Sequence, residues 1–258
     1  MNDLVVFDFD WSLINENSDT WIFEKLVPCL HDEMRTLSSS EYKNSWTRLM
    51  DYLVGKMISD HSISIQQIRE CLCDIPIYAE VIHAIRFAQS QGADIRILSD
   101  ANDFYIDTIL RHHSIDDAFT DIVTNRAAVN ETHSDGDATG AVQPSIRILP
   151  FQDPDTPHQC PLCPPNLCKG GVLDRWMKDS ISSSARRVIY IGDGRGDICP
   201  ATRLTPTDWL LCRKDWQLHR AAQCHPASKS GAAICAQVAP WENGADMLTI
   251  FYNLYSSH

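Results

Sequence analysis

Apolar and polar positions along the chain follow two different periods. Leu4-Val5-Val6-Phe7 is a continuous apolar run ending in acidic residues, the pattern of a parallel strand buried on both faces whose C-terminal end opens into a site. From Asn15 to Cys73 no comparable strand follows. Trp21, Phe23, Leu26, Val27 and Leu30, and then Trp46, Leu49, Met50, Leu53 and Val54, have helical spacing instead. Strand and helix patterns alternate again from Ala79: Val81, Ile82, Ile85 and Ala88 make a helical stripe, Gly92 stops it, and Ile95 to Leu98 reads as a strand. Asp121 to Thr124 and Val188 to Ile191 read as further strands, with a helical stripe through Val172, Leu173, Trp176, Met177 and Ile181 between them. Trp209 to Cys212 adds a candidate strand, and Ala245 to Leu254 a closing helix. Repeated βα units predict an α/β fold with a doubly wound, Rossmann-like, mostly parallel sheet. Its core is expected over residues 1–14 and 79–258, interrupted by a helical insertion over 15–78. Ligands in such sheets bind beyond the carboxyl ends of the strands, so the informative residues should lie just after them.

Composition narrows the classes of partner. The 258 residues carry 22 Lys plus Arg against 34 Asp plus Glu, a formal net charge of −12, which argues against a basic face for nucleic acid. No apolar run approaches the ~20 residues of a membrane span, and a strand beginning by Leu4 leaves no room for a signal peptide. A soluble, cytoplasmic protein is expected. Ten cysteines could suggest a secreted disulfide scaffold, but such scaffolds are short, and a chain of this length stabilises itself by burial; reduced thiols are the expectation.

Chemistry-bearing residues do fall at the strand ends. After the first strand comes Asp8-Phe9-Asp10-Trp11-Ser12, where residues i and i+2 of extended chain can turn both carboxylates into one crevice and call for a counter-cation. Ser99-Asp100-Ala101-Asn102 follows the second, a hydroxyl and amides able to grip an anion where a helix begins. Lys169 precedes the third helical stripe and can bring a positive charge to that anion. Gly192-Asp193-Gly194-Arg195-Gly196-Asp197 adds two more acids on a flexible turn. Singly, these are a solvated turn, a helix cap, a surface lysine and a glycine turn; four in order at successive strand ends favour a site.

With these motifs in place, the chain resembles the phosphohydrolases of the haloacid dehalogenase superfamily. Asp8-Phe9-Asp10 with Glu16-Asn17-Ser18-Asp19, Ser99-Asp100-Ala101-Asn102, the stretch from Cys163 to Gly170 and Gly192-Asp193-Gly194 resemble the phosphoethanolamine/phosphocholine phosphatase family, whose relatives include pyridoxal phosphate and thiamine monophosphate phosphatases. The likeness runs from about Leu4 to Pro200. It departs at Gly196, where many relatives have Asn, and at Trp11, where a polar residue is frequent.

The resemblance implies a haloacid dehalogenase-like fold whose insertion is a helical cap, and a Mg²⁺-dependent phosphomonoesterase acting through an aspartyl-phosphate. Asp8 would be the nucleophile and Asp10 the general acid and base. Ser99 and Lys169 would hold the phosphate. Asp8, Asp193 and the backbone carbonyl of Asp10 would bind the metal, with Asp197 orienting a metal-bound water or Lys169. Asp19 and Asp100 match acids that receive a cationic amine, which favours phosphoethanolamine or phosphocholine; Asp19 could equally cap a helix starting at Thr20. Pyridoxal 5′-phosphate, thiamine monophosphate and pyrophosphate are alternative substrates. A catalytically silent binding protein is the reading from another class, and it predicts the loss of a catalytic group, none of which is missing.

Three features stand outside that set. His158, Cys160, Cys163 and Cys168 could in principle form a tetrahedral zinc site, the alternative being packed or exposed thiols. His112 and His113 end a predicted helix, where imidazolium would meet the negative end of the dipole, and they read as structural. Arg195 in the acidic loop is expected to be solvated.

Overall fold

The computed structural model describes residues 3–43, 45–131, 143–153, 156–179, 187–223 and 233–256. Among them seven strands form one sheet: β1 (Leu4–Phe7), β2 (Asp94–Asn102), β3 (Asp121–Asn130), β4 (Ser145–Leu149), β5 (Val188–Gly192), β6 (Trp209–Arg213) and β7 (Gln237–Trp241). Their order is β4-β3-β2-β1-β5-β6-β7. All neighbours run parallel except β3 and β4, which are antiparallel. This is the expected α/β architecture, with the apolar β1 at its centre. β2 lies on one side of β1 and β5 on the other, so consecutive strands leave β1 in opposite directions and open a crevice at its carboxyl end.

Side chains of β1 feed two cores in alternation, as strand geometry requires. Val5 and Phe7 pack with α5 (Ala79–Ser90), α6 (Asp103–His112) and α10 (Gly244–Ser256), while Leu4 and Val6 pack with α7 (Lys169–Asp179) and the neighbourhood of α8 (Ile198–Ala201) and α9 (Gln217–Gln223). The stretch read as a helical insertion carries α1 (Ser18–Leu26), α2 (Pro28–Ser38), α3 (Trp46–Ser59) and α4 (Ile65–Cys73). Leu49, Met50, Leu53 and Leu72 of that stretch are buried in the same core as Val5 and Phe7.

Several elements differ from the sequence reading. β2 runs on to Asn102 and β3 to Asn130, beyond the apolar runs that mark their beginnings. β4 and β7 were not expected: both are edge strands, and β7 buries only Trp241. Ile181, expected in the third stripe, lies outside the described residues. His113 caps α6, yet burial and the adjacent His112 push its imidazole down from the ordinary range, the reverse of a dipole-stabilised imidazolium. Among the described residues no helix is long and apolar enough to cross a membrane.

Candidate active site

Asp8 is the last residue that β1 holds in the sheet, its N–H donating to Ile191 O at 2.9 Å. The chain then makes an irregular turn, Phe9–Leu13, in which Asp10 remains extended and Trp11 adopts φ 57°. A left-handed conformation costs a residue with a Cβ about 1–2 kcal/mol, and Arg213 offsets it. The Arg213 guanidinium donates to Trp11 O at 2.9 Å and to Asn15 Oδ1 at 2.6 Å, and it lies over the rings of Trp11, Trp216 and Trp241. Asp10 faces the first helix of the insertion, accepting from Ser18 N at 2.9 Å and from Asn17 Nδ2 at 3.2 Å.

Lys169, the first residue of α7, is 3 % exposed and donates to Asp8 Oδ1 at 2.7 Å and to Asp197 Oδ1 at 3.0 Å. Tyr190 OH donates to that same Asp197 oxygen at 2.7 Å, while Asp197 Oδ2 accepts from the backbone N–H groups of Asp193 and Gly194. Four donors thus occupy Asp197. Asp193 is far less committed: Ser12 Oγ donates to it at 3.5 Å. Arg195 is exposed, as expected.

On the other side of β1, the register of β2 against β3 shifts between Leu98 and Asn102. Such a bulge re-aims side chains at a strand end, and here it contains Ser99, Asp100 and Ala101. Ser99 Oγ is buried and accepts from Ala101 N at 3.1 Å. Asn102 caps α6 through Tyr105 N. Asn125 Nδ2 braces the bulge by donating to Asp100 O and Ala101 O, and Asn166 Nδ2 donates both to Asn125 Oδ1 at 2.7 Å and to Thr47 Oγ1 of α3 at 3.1 Å. No sequence spacing points to Asn125 and Asn166, because their bonds join β3 to a bulge and a loop far apart in the chain.

Asp19 is not the cap of the first helix. Asn17 takes that place, accepting from Thr20 N at 2.9 Å, and α1 begins at Ser18. The buried Asp19 carboxylate instead accepts from Trp46 Nε1 at 2.6 Å and repels Asp100 across the site. A Cβ added at Gly196 would lie 3.5 Å from Asp100 Oδ2 and 3.7 Å from Lys169 Nζ, so this glycine borders the same space.

Crowded acids away from water hold their protons. Burial, then Asp197, raises Asp8 to about 7, with Lys169 opposing. Burial and then Asp19 raise Asp10 to about 8, with the Ser18 N–H opposing. Burial, Asp197 and Asp8 raise Asp193 to about 9. Asp19 rises to about 6, mainly through burial, and burial also raises Asp100. Burial alone would depress the Lys169 ammonium, but Asp197, Asp8 and Asp100 keep it well above its ordinary value. Carboxylate oxygens of Asp8, Asp193 and Asp197 lie within 4.8 Å of one another. One lysine cannot neutralise three such groups, and an all-oxygen donor set suits a hard dication such as Mg²⁺. Asp8, Asp10, Asp100, Lys169, Asp193 and Asp197 therefore border one crevice, with Asp19 at its helical side and Ser99 on the adjoining bulge of β2.

The cysteine segment differs from expectation. Both nitrogens of His158 are engaged elsewhere, Nε2 with Pro164 O at 2.8 Å and Nδ1 with Cys160 N at 3.2 Å. Cys199 of α8 joins Cys160, Cys163 and Cys168 instead.

A parallel sheet ending in an acid pair, countered by one buried lysine and a second acidic loop, is the arrangement expected of the phosphohydrolases that the sequence resembles, and this protein is a phosphatase. The solved structure of a substrate-bound phosphoserine phosphatase shares the fold: TM-score 0.58 at 13 % identity, with 97 % of this chain and 98 % of that one covered. The chain belongs to the family described as "Putative Phosphatase", whose profile it matches over residues 3–255. It is 35 % identical to a thiamine phosphate phosphatase-like protein of Arabidopsis thaliana, covering 98 % of this chain and 96 % of the relative. It is 30 % identical to the pyridoxal phosphate phosphatase PHOSPHO2 of Rattus norvegicus, covering 96 % and 97 %.

Proposed function

We propose that this phosphatase is Mg²⁺-dependent, hydrolyses a small phosphate monoester whose organic part carries a positive charge, and does so through an aspartyl-phosphate on Asp8. The observation that carries the reading is the pairing of Lys169 with Asp8 at 2.7 Å beside the under-committed Asp193. Asp8, Asp193 and the backbone carbonyl of Asp10 would hold Mg²⁺, which when bound supplies charge neutralisation between carboxylate and phosphate. Asp197, already occupied by four donors, fixes Lys169 and the Asp193 loop.

In this mechanism Lys169, Ser99 and the amides of the β2 bulge hold the phosphate oxygens. A carboxylate oxygen of Asp8 attacks phosphorus, the bond from phosphorus to the ester oxygen breaks, and Asp10 gives its proton to the departing oxygen. Asp10 then takes a proton from the water that attacks the aspartyl-phosphate, releasing phosphate and regenerating Asp8. The direction of the shift suits the acid's role: burial first and Asp19 second hold the proton on Asp10, while Lys169 opposes the retention of a proton on Asp8.

Asp19 and Asp100, with the Trp46 ring held against Asp19, form an acidic and aromatic wall suited to an organic cation. Thiamine monophosphate, whose thiazolium is permanently charged, is favoured over phosphoethanolamine and phosphocholine by the 35 % identical relative. Pyridoxal 5′-phosphate is the second reading, favoured by the rat relative. Residues 15–78 act as the cap over a core of 1–14 and 79–258, and free thiols suit the reducing cytoplasm.

The test is hydrolysis of p-nitrophenyl phosphate by wild type and Asp8→Asn, with and without Mg²⁺, followed by ranking thiamine monophosphate, phosphocholine, phosphoethanolamine, pyridoxal phosphate and pyrophosphate by kcat/KM. Activity that needs both Asp8 and Mg²⁺ and prefers cationic esters supports the proposal. Equal activity in Asp8→Asn overturns the mechanism, and a preference for pyrophosphate overturns the substrate class.

A further inference from the structure

We propose a second metal centre, structural in role: a tetrahedral Zn²⁺ site made by the sulfurs of Cys160, Cys163, Cys168 and Cys199. The four Sγ atoms lie within 4.8 Å of one another, with Cys160 to Cys199 at 3.6 Å and Cys168 to Cys199 at 4.0 Å. Zn–S bonds of about 2.3 Å give a regular tetrahedron an edge of about 3.8 Å, which falls between those two separations. A disulfide requires about 2.05 Å and joins sulfurs in pairs, whereas all four thiols are free and converge on one point.

The surroundings fit a thiolate-bound dication. Four thiolates around one Zn²⁺ leave a net charge of −2, which nearby donors must offset. Gly171 N–H donates to Cys168 Sγ at 3.3 Å, and the Arg203 guanidinium faces Cys199. Gly170 is required for the approach, since a Cβ there would stand 2.5 Å from Cys199 Sγ. The ring nitrogens of His158 are spent on Pro164 O and Cys160 N, so the imidazole holds the loop that presents Cys160 and Cys163 and leaves the fourth position to Cys199.

The position gives the centre a task. Cys168 immediately precedes Lys169, and Cys199 lies just beyond Asp197 at the start of α8. Zinc clamped between them fastens the first turn of α7 to α8 and holds Lys169 and Asp197 at their 3.0 Å pairing distance. The site is thus a positioning device. It does not depend on which ester the enzyme cleaves.

The full-length protein, isolated under reducing, chelator-free conditions, is analysed for metal; a second portion is stripped of bound metal with a chelator, freed of the chelator and titrated with Co²⁺ under reducing conditions. Wild type is expected to hold about one zinc per chain, and the double variant Cys160→Ser/Cys163→Ser under about a tenth of that. Asp193→Asn and Cys235→Ser are expected to retain it, which separates the sulfur site from the carboxylates. Co²⁺ should give thiolate-to-cobalt charge-transfer and tetrahedral d–d bands in wild type and neither in the double variant. Cys199→Ser tests the buried ligand; if it does not fold, the double variant, whose sulfurs are only part-buried, decides. The proposal fails if wild type carries under about a tenth of a zinc and shows no thiolate band with cobalt, if the double variant keeps its zinc, or if peptide mapping finds disulfides among these four cysteines in freshly isolated protein.

Discussion

A Cβ on Gly192 would lie 2.6 Å from Cγ of Asp197, so the last residue of β5 must be glycine for that carboxylate to reach Lys169 and Tyr190. Gly192→Ala therefore displaces Asp197 without altering any charge. A misplacement of about 1 Å in such a site costs on the order of 10²-fold in rate. Steady-state assays should show that loss in kcat with the far-ultraviolet circular dichroism unchanged. Gly194→Ala is the control, because a Cβ there meets nothing within 4 Å, and it should keep most of the activity.

Lys169→Met removes the one ammonium between Asp8 and Asp197. Losing a charged contact to the transferred group typically costs about 2.7–4 kcal/mol of barrier, or 10²–10³ in kcat. Breaking a buried pair by removing one partner also destabilises by about 3–5 kcal/mol, less whatever is recovered when Asp8 takes up a proton. Both effects are measurable on one variant, by turnover and by urea unfolding. Asp8→Asn should cost more in rate, on the order of 10⁴-fold or beyond, and less in stability, since it removes a crowded charge. The opposite order in stability would count against the electrostatic account of this cluster.

Much of this site was legible in the sequence, for a physical reason. A central parallel strand buried on both faces must be a continuous apolar run, so β1 and β5 announce themselves, and polar residues directly after them must face the crevice. Edge strands lack that signature: β7, Gln237–Trp241, leaves most of its residues exposed, and β4 is a short alternating segment. Nor could spacing reveal Cys199, which is distant in sequence from Cys168 and meets it only because α7 packs against α8. The same holds for Arg213 at the end of β6, whose stack with Trp11, Trp216 and Trp241 joins the turn after β1, the loop after β6 and the end of β7. Asp19 looked like a helix cap because acids favour that place, but Asn17 two residues earlier has the extended backbone a cap needs.

Asp10 offers a test through pH. Burial first and Asp19 second hold its proton up to about 8, and the mechanism needs that proton in the first half-reaction. The profile of kcat/KM should therefore fall as pH rises through about 8. Removing a neighbouring negative charge makes ionisation easier, so Asp19→Asn should move this alkaline limb to lower pH. A limb that stays in place would mean that another group sets it.

Stability carries a second pH signature. Asp193 keeps its proton up to about 9 in the folded protein, mainly through burial and then through Asp197 and Asp8, against a starting value of 3.8. Between those values the unfolded chain has lost a proton that the folded chain retains, so this residue's contribution to stability falls as pH rises across the window. Asp193→Asn has no such proton to lose. In the presence of a chelator its stability relative to wild type should increase steadily from about pH 4 to about pH 9, by denaturant titration at each pH. If these carboxylates hold Mg²⁺ as proposed, saturating Mg²⁺ should shrink or reverse the difference, because the wild-type set binds it more tightly than the variant's.

The hold of α3 on the sheet bears on how substrate enters. Asp51 accepts from Arg147 Nε and Nη2, each at 2.8 Å, and from Ile148 N at 2.8 Å, which ties α3 to β4. Trp46, at the start of the same helix, carries the indole that orients Asp19. Arg147 is largely exposed, so the ion pair itself contributes at most about 1 kcal/mol, and Asp51→Ala should change the melting temperature little. If residues 15–78 open and close over Asp10, releasing α3 loosens the wall that meets the organic part of the ester while leaving Asp8, Lys169 and Asp193 untouched. KM for a cationic ester should then rise several-fold with kcat nearly unchanged, whereas KM for p-nitrophenyl phosphate, which has no cation to place, should stay close to wild type. Asp60→Ala at the far end of α3 is the control. Equal KM in Asp51→Ala and Asp60→Ala for every substrate would show that the α3 to β4 tie plays no part in selecting substrate.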